Sequence, residues 1–322
     1  MAGMLTRVLA LVLAIAVSLI LTGCGDDRPE QIVKYQQLTQ QRLDALGKML
    51  NDGQIRNAIL LRQYASVLEQ QKPELRPLLN ELSKDASTEG PMYAALSRRL
   101  SESYEANNFI DIAGQLDEVE NLYHAADPSL YNDMLSDPVN VVADMSGGTL
   151  ARVNAISREA AAMANGSEDF GPGSQLVGNP SYGSWQTDSG GTSFWAWYGM
   201  YAMFSNIFQR PIHYDRWSGG RGYSYYNDVG RYRYTSPKQA QAQNQVFEKT
   251  KKRFDSQGKR FDSPYAKART GATSLSRESN STPKTNTVGK SNSASKFRSN
   301  YAKDSSFRNS STRTTRSVRR GK

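Results

Sequence analysis

Apolar residues recur at helical spacing from residue 31 to residue 165. Leu75, Leu78, Leu79 and Leu82 follow i, i+3, i+4, i+7, and Leu43, Leu46 and Leu50 nearly do. Ile55, Ala58, Ile59, Ala65 and Leu68 form a second kind of stripe; Tyr93, Leu96, Leu100 and Tyr104 form another. Phe109, Ile112, Ala113, Leu116, Val119 and Tyr123 follow, and Leu150, Val153, Ile156, Ala160 and Met163 close the series. Such stripes are the apolar faces of amphipathic helices. The punctuation agrees. Pro73, Pro91, Pro128 and Pro138 stand where first turns begin, Asp127 and Asp137 are placed to cap, and Asn51-Asp52-Gly53 reads as a stop between the first two helices. A segment of this length can bury a core, and its short loops favour antiparallel neighbours in a bundle of about five to seven helices.

The pattern then changes. Residues 166–193 are rich in Gly, Ser, Pro and Asn and read as a linker. Residues 194–236 form an aromatic segment. Seven of the 15 residues from 194 to 208 are aromatic and none is charged: Phe194, Trp195, Trp197, Tyr198, Tyr201, Phe204 and Phe208. As one helix they would reach only about 22 Å, short of a bilayer. Trp and Tyr favour membrane interfaces, so these seven are the expected membrane or partner contacts; the competing reading is a helix docked on the bundle. Tyr223 and Tyr225 alternate at period two, as do Tyr232 and Tyr234, with Asn227–Gly230 between them, which predicts a small β-hairpin. Residues 237–322 are poor in aliphatics and predict a disordered basic tail with a transient helix over 239–252. Within it Lys252-Arg253-Phe254-Asp255-Ser256 recurs as Lys259-Arg260-Phe261-Asp262-Ser263. The fold expected is thus mainly α: an antiparallel helical bundle, an aromatic segment with a small hairpin, and a disordered tail.

Charge sharpens this division. The net charge is +9, yet residues 25–175 hold 23 acidic and 13 basic residues, and residues 238–322 hold 5 acidic and 21 basic. An acidic body carries a basic tail. A polycation attracts polyanions at a strength that falls with salt. Lys252, Arg253, Lys259, Arg260, Arg316, Arg319 and Arg320 are the expected polyanion contacts.

The N-terminus decides which polyanions are in reach. Arg7 precedes an apolar run, Val8–Leu21, which ends in Leu21-Thr22-Gly23-Cys24. That run spans about 21 Å as a helix, the length of a signal-peptide core rather than a membrane span. The last four residues resemble the lipobox of bacterial lipoproteins: an aliphatic residue, a small residue, Gly, then Cys. The resemblance implies cleavage after residue 23, lipid (diacylglycerol and an N-acyl chain) on Cys24, a tether over 24–30, and an envelope location facing the periplasm. Gly25 after the Cys favours the outer membrane over the inner one. Cys24 is the only cysteine, so a lipidated chain forms no disulfide. Residues 193–322 are also similar in composition to the uncharacterised YgiB-type lipoproteins. Those share a lipobox, a segment like Ser193-Phe194-Trp195, a Tyr/Gly stretch and a Ser/Thr/Arg tail, but carry cysteines in the mature chain.

Catalytic chemistry is not signalled. There are two histidines, His124 and His213, and no Gly-x-Ser-x-Gly, phosphate loop or His-Glu-x-x-His. His213-Tyr214-Asp215 lacks a third partner and reads as structural; His124 stands near a helix end, where a cation would complement the carbonyls. The expectation is a non-enzymatic, membrane-anchored interaction or structural module with no cofactor beyond the covalent lipid. Its partners would be the membrane, peptidoglycan, lipopolysaccharide, anionic lipid or an envelope protein, and export argues against nucleic acid. The alternative is a cell-wall glycan-binding protein or hydrolase that uses Trp195, Trp197 and Trp217 as stacking platforms, with Asp188, Asp215 and Asp228 as its carboxylates.

Overall fold

The computed structural model describes residues 26–208, 211–267 and 269–271. It is mainly α, a helical bundle with one small two-stranded antiparallel sheet. The first half is formed by α1 (Arg28–Asn51), α2 (Arg56–Gln71), α3 (Arg76–Ser83), α4 (Pro91–Glu102), α5 (Ile112–Ala125), α6 (Pro128–Met134) and α7 (Ser136–Met145). On α1 the buried positions Ile32, Gln36, Thr39, Leu43, Leu46 and Leu50 alternate steps of four and three, a narrow seam along one face. That seam lies on α5: the Thr39 hydroxyl donates to the Val119 carbonyl at 3.5 Å, and the Arg42 guanidinium donates to the Tyr123 carbonyl at 2.9 Å. The paired residues ascend together, so these two helices run in the same direction. The turn at Asn51-Asp52-Gly53 stands where expected, with Gly53 at φ +67°. Gly47 lets α4 approach α1: a Cβ there would stand 2.9 Å from the Tyr93 hydroxyl, which itself donates to the Leu43 carbonyl.

Two local expectations are corrected. The stripe from Leu150 to Met163 is not one helix. Gly147 and Gly148, both at positive φ, end α7, and α8 covers only Arg158–Asn165, leaving Met163 exposed. Residues between are held instead by Asn140, whose side chain exchanges hydrogen bonds with the Val153 backbone. Asp127 caps α6 through the Ser129 amide. Asp137, however, sits inside α7 and points its carboxylate at the amides of Tyr225 and Tyr226, 2.8 and 2.9 Å away.

The second half departs further. The segment expected as a linker, 166–193, contributes β1 (Gly183–Thr187) and the fully buried Leu176, Val177 and Tyr182. β1 pairs with β2 (Ser193–Trp197) in the register Trp185 opposite Trp195. Gly191 at φ +80° and the Asp188 carboxylate, which accepts from the Thr192 amide, close the hairpin loop. After β2 come a 3-10 turn (Gly199–Ala202), α9 (Met203–Phe208) and α10 (Tyr214–Gly220). So residues 194–208 begin as a strand rather than forming one helix.

The predicted hairpin over 223–234 is instead helical: a π-turn (Tyr226–Gly230) leads into α11 (Arg231–Tyr234). Its N-terminal amides are those that Asp137 accepts, and Asp228 takes the Ser224 amide. Carboxylates from distant and local sequence thus satisfy the amides a helix start leaves open, which tyrosine alternation cannot reveal. The expected tail also begins later than residue 237. α12 (Pro237–Asp255) is a full helix, and the chain remains packed to Gly271, whose carbonyl accepts from the Ile156 amide. A disordered tail can concern only residues 272–322, which lie outside the described residues.

One core runs from the leucines of α1–α7 to Leu176, Tyr182, Tyr201, Phe204, Tyr225, Tyr226 and Tyr234. A second, adjacent core gathers Val177, Trp195, Tyr214, Trp217, Phe247 and Phe261. Against the second core packs the partly buried Trp185, 5.1 Å from Trp195, 4.8 Å from Tyr214 and 5.0 Å from Trp217 between ring centroids. Tilted and edge-on rings at such distances pack favourably.

Candidate functional site

The cationic surface is built on α12. Ser236 accepts from the Gln239 amide and Gln239 accepts from the Ser236 amide, a capping box that starts the helix beside Pro237. Gln243, Phe247 and Thr250 form its inward face. The repeated pentapeptide then folds back on itself. Gly258 at φ +67° turns the chain, the Lys259 amide donates to the Phe254 carbonyl, and Phe254 and Phe261, one from each copy, meet at 4.9 Å. The repeat is therefore a packing device: its rings point inward. Outward stand Lys238, Lys249, Lys252, Lys259, Arg260 and Lys267. Arg260 is paired with Asp262, and the half-buried Lys251 with Asp255.

Not every expected polyanion contact is presented. Arg253 donates to Thr192 Oγ1 and to Asp215, both at 2.8 Å, and ties α12 to the hairpin loop and to α10. Its charge is committed to the fold, because α12 packs with that side against the hairpin. Arg316, Arg319, Arg320 and Cys24 lie outside the described residues.

The aromatic contacts also divide. Trp195, Tyr201 and Phe204 are buried, and Phe194 and Trp197 are partly buried, the latter 4.9 Å from the Phe204 ring. Of the six whose side chains are described, only Tyr198 is openly exposed; Met200 and Ile207, nearby in sequence, are exposed too. The side chain of Phe208 lies outside the described residues. Rings expected at a membrane surface are largely docked on the bundle, because β2 and the following turn cross its leucine core. Two of the three tryptophan platforms of the glycan reading are withdrawn for the same reason, while Trp197 is partly exposed. Trp217 is 1 % exposed and Trp195 4 %. Its carboxylates are engaged as well: Asp188 in the hairpin loop, Asp215 with Arg253, and Asp228 with Arg221 at 2.8 Å.

His213 caps α10, with its backbone bridged to Phe194. His124 is not the helix-end cation expected. Burial, and then the nearby Arg233 and Arg42, push its pKa down to about 4, so its ring is neutral at pH 7.

Sequence reading missed the buried polar groups that join the two halves. Arg99 is buried with Glu118 and also donates to the Arg233 carbonyl at 2.7 Å. Tyr182 donates to Asp85 at 2.7 Å. Burial raises the pKa of Asp85 to about 7 against the opposing Tyr182 hydroxyl and Met92 amide; burial likewise raises Asp137 to about 7 against its two backbone amides. Periodicity carried no signal for these residues, since each partner lies at least 80 positions away or on another element.

Among the described residues no three His, Cys, Asp or Glu side chains gather as a metal site, and no helix is long and apolar enough to cross a membrane. No protein-family model, curated protein or solved structure matches the chain.

Proposed function

We propose that this chain is a lipid-anchored lipoprotein of a bacterial cell envelope. It acts as a non-enzymatic interaction module whose cationic C-terminal end holds anionic polymers or lipids of that envelope. The supporting observation is the two-sidedness of residues 238–267: the rings lie inside and the lysines outside, so a folded support presents cations at the point where the most basic part of the chain begins. The lipobox supplies the anchor, Gly25 favours the outer membrane, and the periplasmic face supplies peptidoglycan, lipopolysaccharide and anionic lipid as partners. Binding of this kind is long-range and salt-screened.

Two measurements test the reading. Palmitate should label the wild type and not Cys24→Ala. A chain ending at residue 271, which keeps every described residue, should lose most of its salt-sensitive binding to peptidoglycan sacculi and to anionic vesicles. Unchanged binding would refute the tail's role, and unlabelled wild type would refute the anchor.

A further inference from the structure

The turn between α4 and α5 displays apolar side chains that the other described residues leave exposed. Ile110 is 100 % exposed and Tyr104 55 %, with Phe109 partly exposed beside them. The turn is well held. The Asn108 side chain donates to the Glu102 carbonyl at 2.8 Å, the Phe109 amide donates to the Ala106 carbonyl, and the Asp111 carboxylate caps α5 through the Gly114 amide at 2.7 Å. Ile110 is thus presented outward by a built turn rather than by a loose one.

Its position gives the occupant. The Gln36 amide meets the Ser103 carbonyl at the base of the turn. Asp111, at its end, immediately precedes α5, which runs beside α1 in the same direction with Thr39 at Val119 and Arg42 at Tyr123. The same offset of about 80 residues sets Asp111 level with the first turn of α1. From Ser103 the chain therefore climbs along the first turns of α1 to the level of its N-terminus. Cys24 is four residues before Arg28 and so stands within about 14 Å of it. An acyl group on Cys24 brings this end of the molecule to the bilayer.

We infer that the turn 104–110 rests on the membrane that holds the anchor, with Ile110 and Tyr104 as its apolar contacts. The inference rests on acylation of Cys24 as proposed above. The surrounding charges are Asp26, Asp27, Glu30, Glu102, Glu105 and Asp111, with Arg28 paired to Asp26 and Arg98 to Glu102. An acidic rim gains nothing from anionic headgroups. The contact is apolar and insensitive to salt, unlike binding by the cationic tail.

The single cysteine makes the test direct. In the acylated full chain Ile110→Cys is the only free thiol and, being on a fully exposed side chain, leaves the core intact. An environment-sensitive dye on it is compared, in phosphatidylcholine vesicles carrying lipid-borne quenchers, with the same dye on Met163→Cys, an exposed site on α8. The expected result is loss and blue shift of emission at 110 and none at 163, both unchanged at high salt. Absence of quenching at 110 while the protein floats with the vesicles overturns the contact and spares the anchor. Equal quenching at both sites also overturns it. A chain that neither floats nor carries lipid overturns anchor and contact together. Shielding at 110 without lipid that grows with protein concentration assigns the turn to a second copy and overturns the bilayer as its occupant.

Discussion

In residues 28–145 leucine leads the buried apolar positions, at helical spacing. In residues 166–271 they are tyrosine, tryptophan and phenylalanine distributed over strands, turns and short helices. The first region could be drawn from one helix at a time. The second takes its shape from the first: Tyr225 and Tyr226 are capped by Asp137, Tyr182 reaches Asp85, the Tyr234 hydroxyl donates to the Ala125 carbonyl, and the Tyr232 carbonyl accepts from Asn121. Glycine- and tyrosine-rich sequence does not by that composition form a separate or loose segment. Given a leucine core to lie on and buried polar groups to satisfy its backbone, it folds as a continuation of that core.

The strongest way to break this comparison is to ask whether the halves unfold together. All four tryptophans lie in the second half, so their fluorescence reports that half, whereas helical circular dichroism is dominated by the first. Leu46→Ala and Trp217→Ala remove fully buried side chains from the two cores; losses of about 2–5 and 3–5 kcal/mol are expected. With a shared core, either substitution moves both signals by the same amount in a denaturant titration. A tryptophan transition untouched by Leu46→Ala would show two independent units.

A more local effect is expected from Asp137→Ala. It leaves two buried amides without a partner, each at a cost of about 1–3 kcal/mol, and that cost falls on the start of the π-turn. Hydrogen exchange at Tyr225 and Tyr226 should accelerate well before exchange in α1. Equal protection in the variant would show that the carboxylate does not decide this helix start.

The finest probe is pH. Burial lifts Asp85 from 3.8 to about 7, so the folded chain keeps a proton that the unfolded chain has released throughout that window. Stability from this group is full below about pH 4 and declines as pH rises through about 7. Asp137 and Glu120 act in the same direction, and His124, lowered from 6.5 to about 4, acts oppositely between those values. Asp85→Asn should make the decline of stability between pH 4 and 7 shallower by about one proton. An unaltered slope in urea titrations across this range would exclude Asp85 as its source.

The candidate site was legible to different degrees for physical reasons. Lys252 and Lys259 are exposed as read, because a strongly hydrated ammonium on a helix of this polarity has no reason to leave water. Arg253, one residue on, is turned inward by helical periodicity and finds Asp215. In the sequence the paired Lys-Arg-Phe-Asp-Ser copies are a bare recurrence. Only the reversal at Gly258, which brings Phe254 onto Phe261, shows them to be two sides of one contact.

By itself the sequence determined the helical body: leucines at three- and four-residue steps, prolines in first turns, and the Asn51-Asp52-Gly53 stop are local features, and local features are enough when each helix buries one continuous stripe. It also determined the division of charge along the chain. The tertiary structure alone decided that residues 166–193 belong to the core, that residues 223–234 are helical, and that most of the aromatic run faces inward. Rings bury well in strand, turn or helix alike, so their backbone state is chosen by what they pack on and by which distant groups, Asp137 foremost, satisfy their amides.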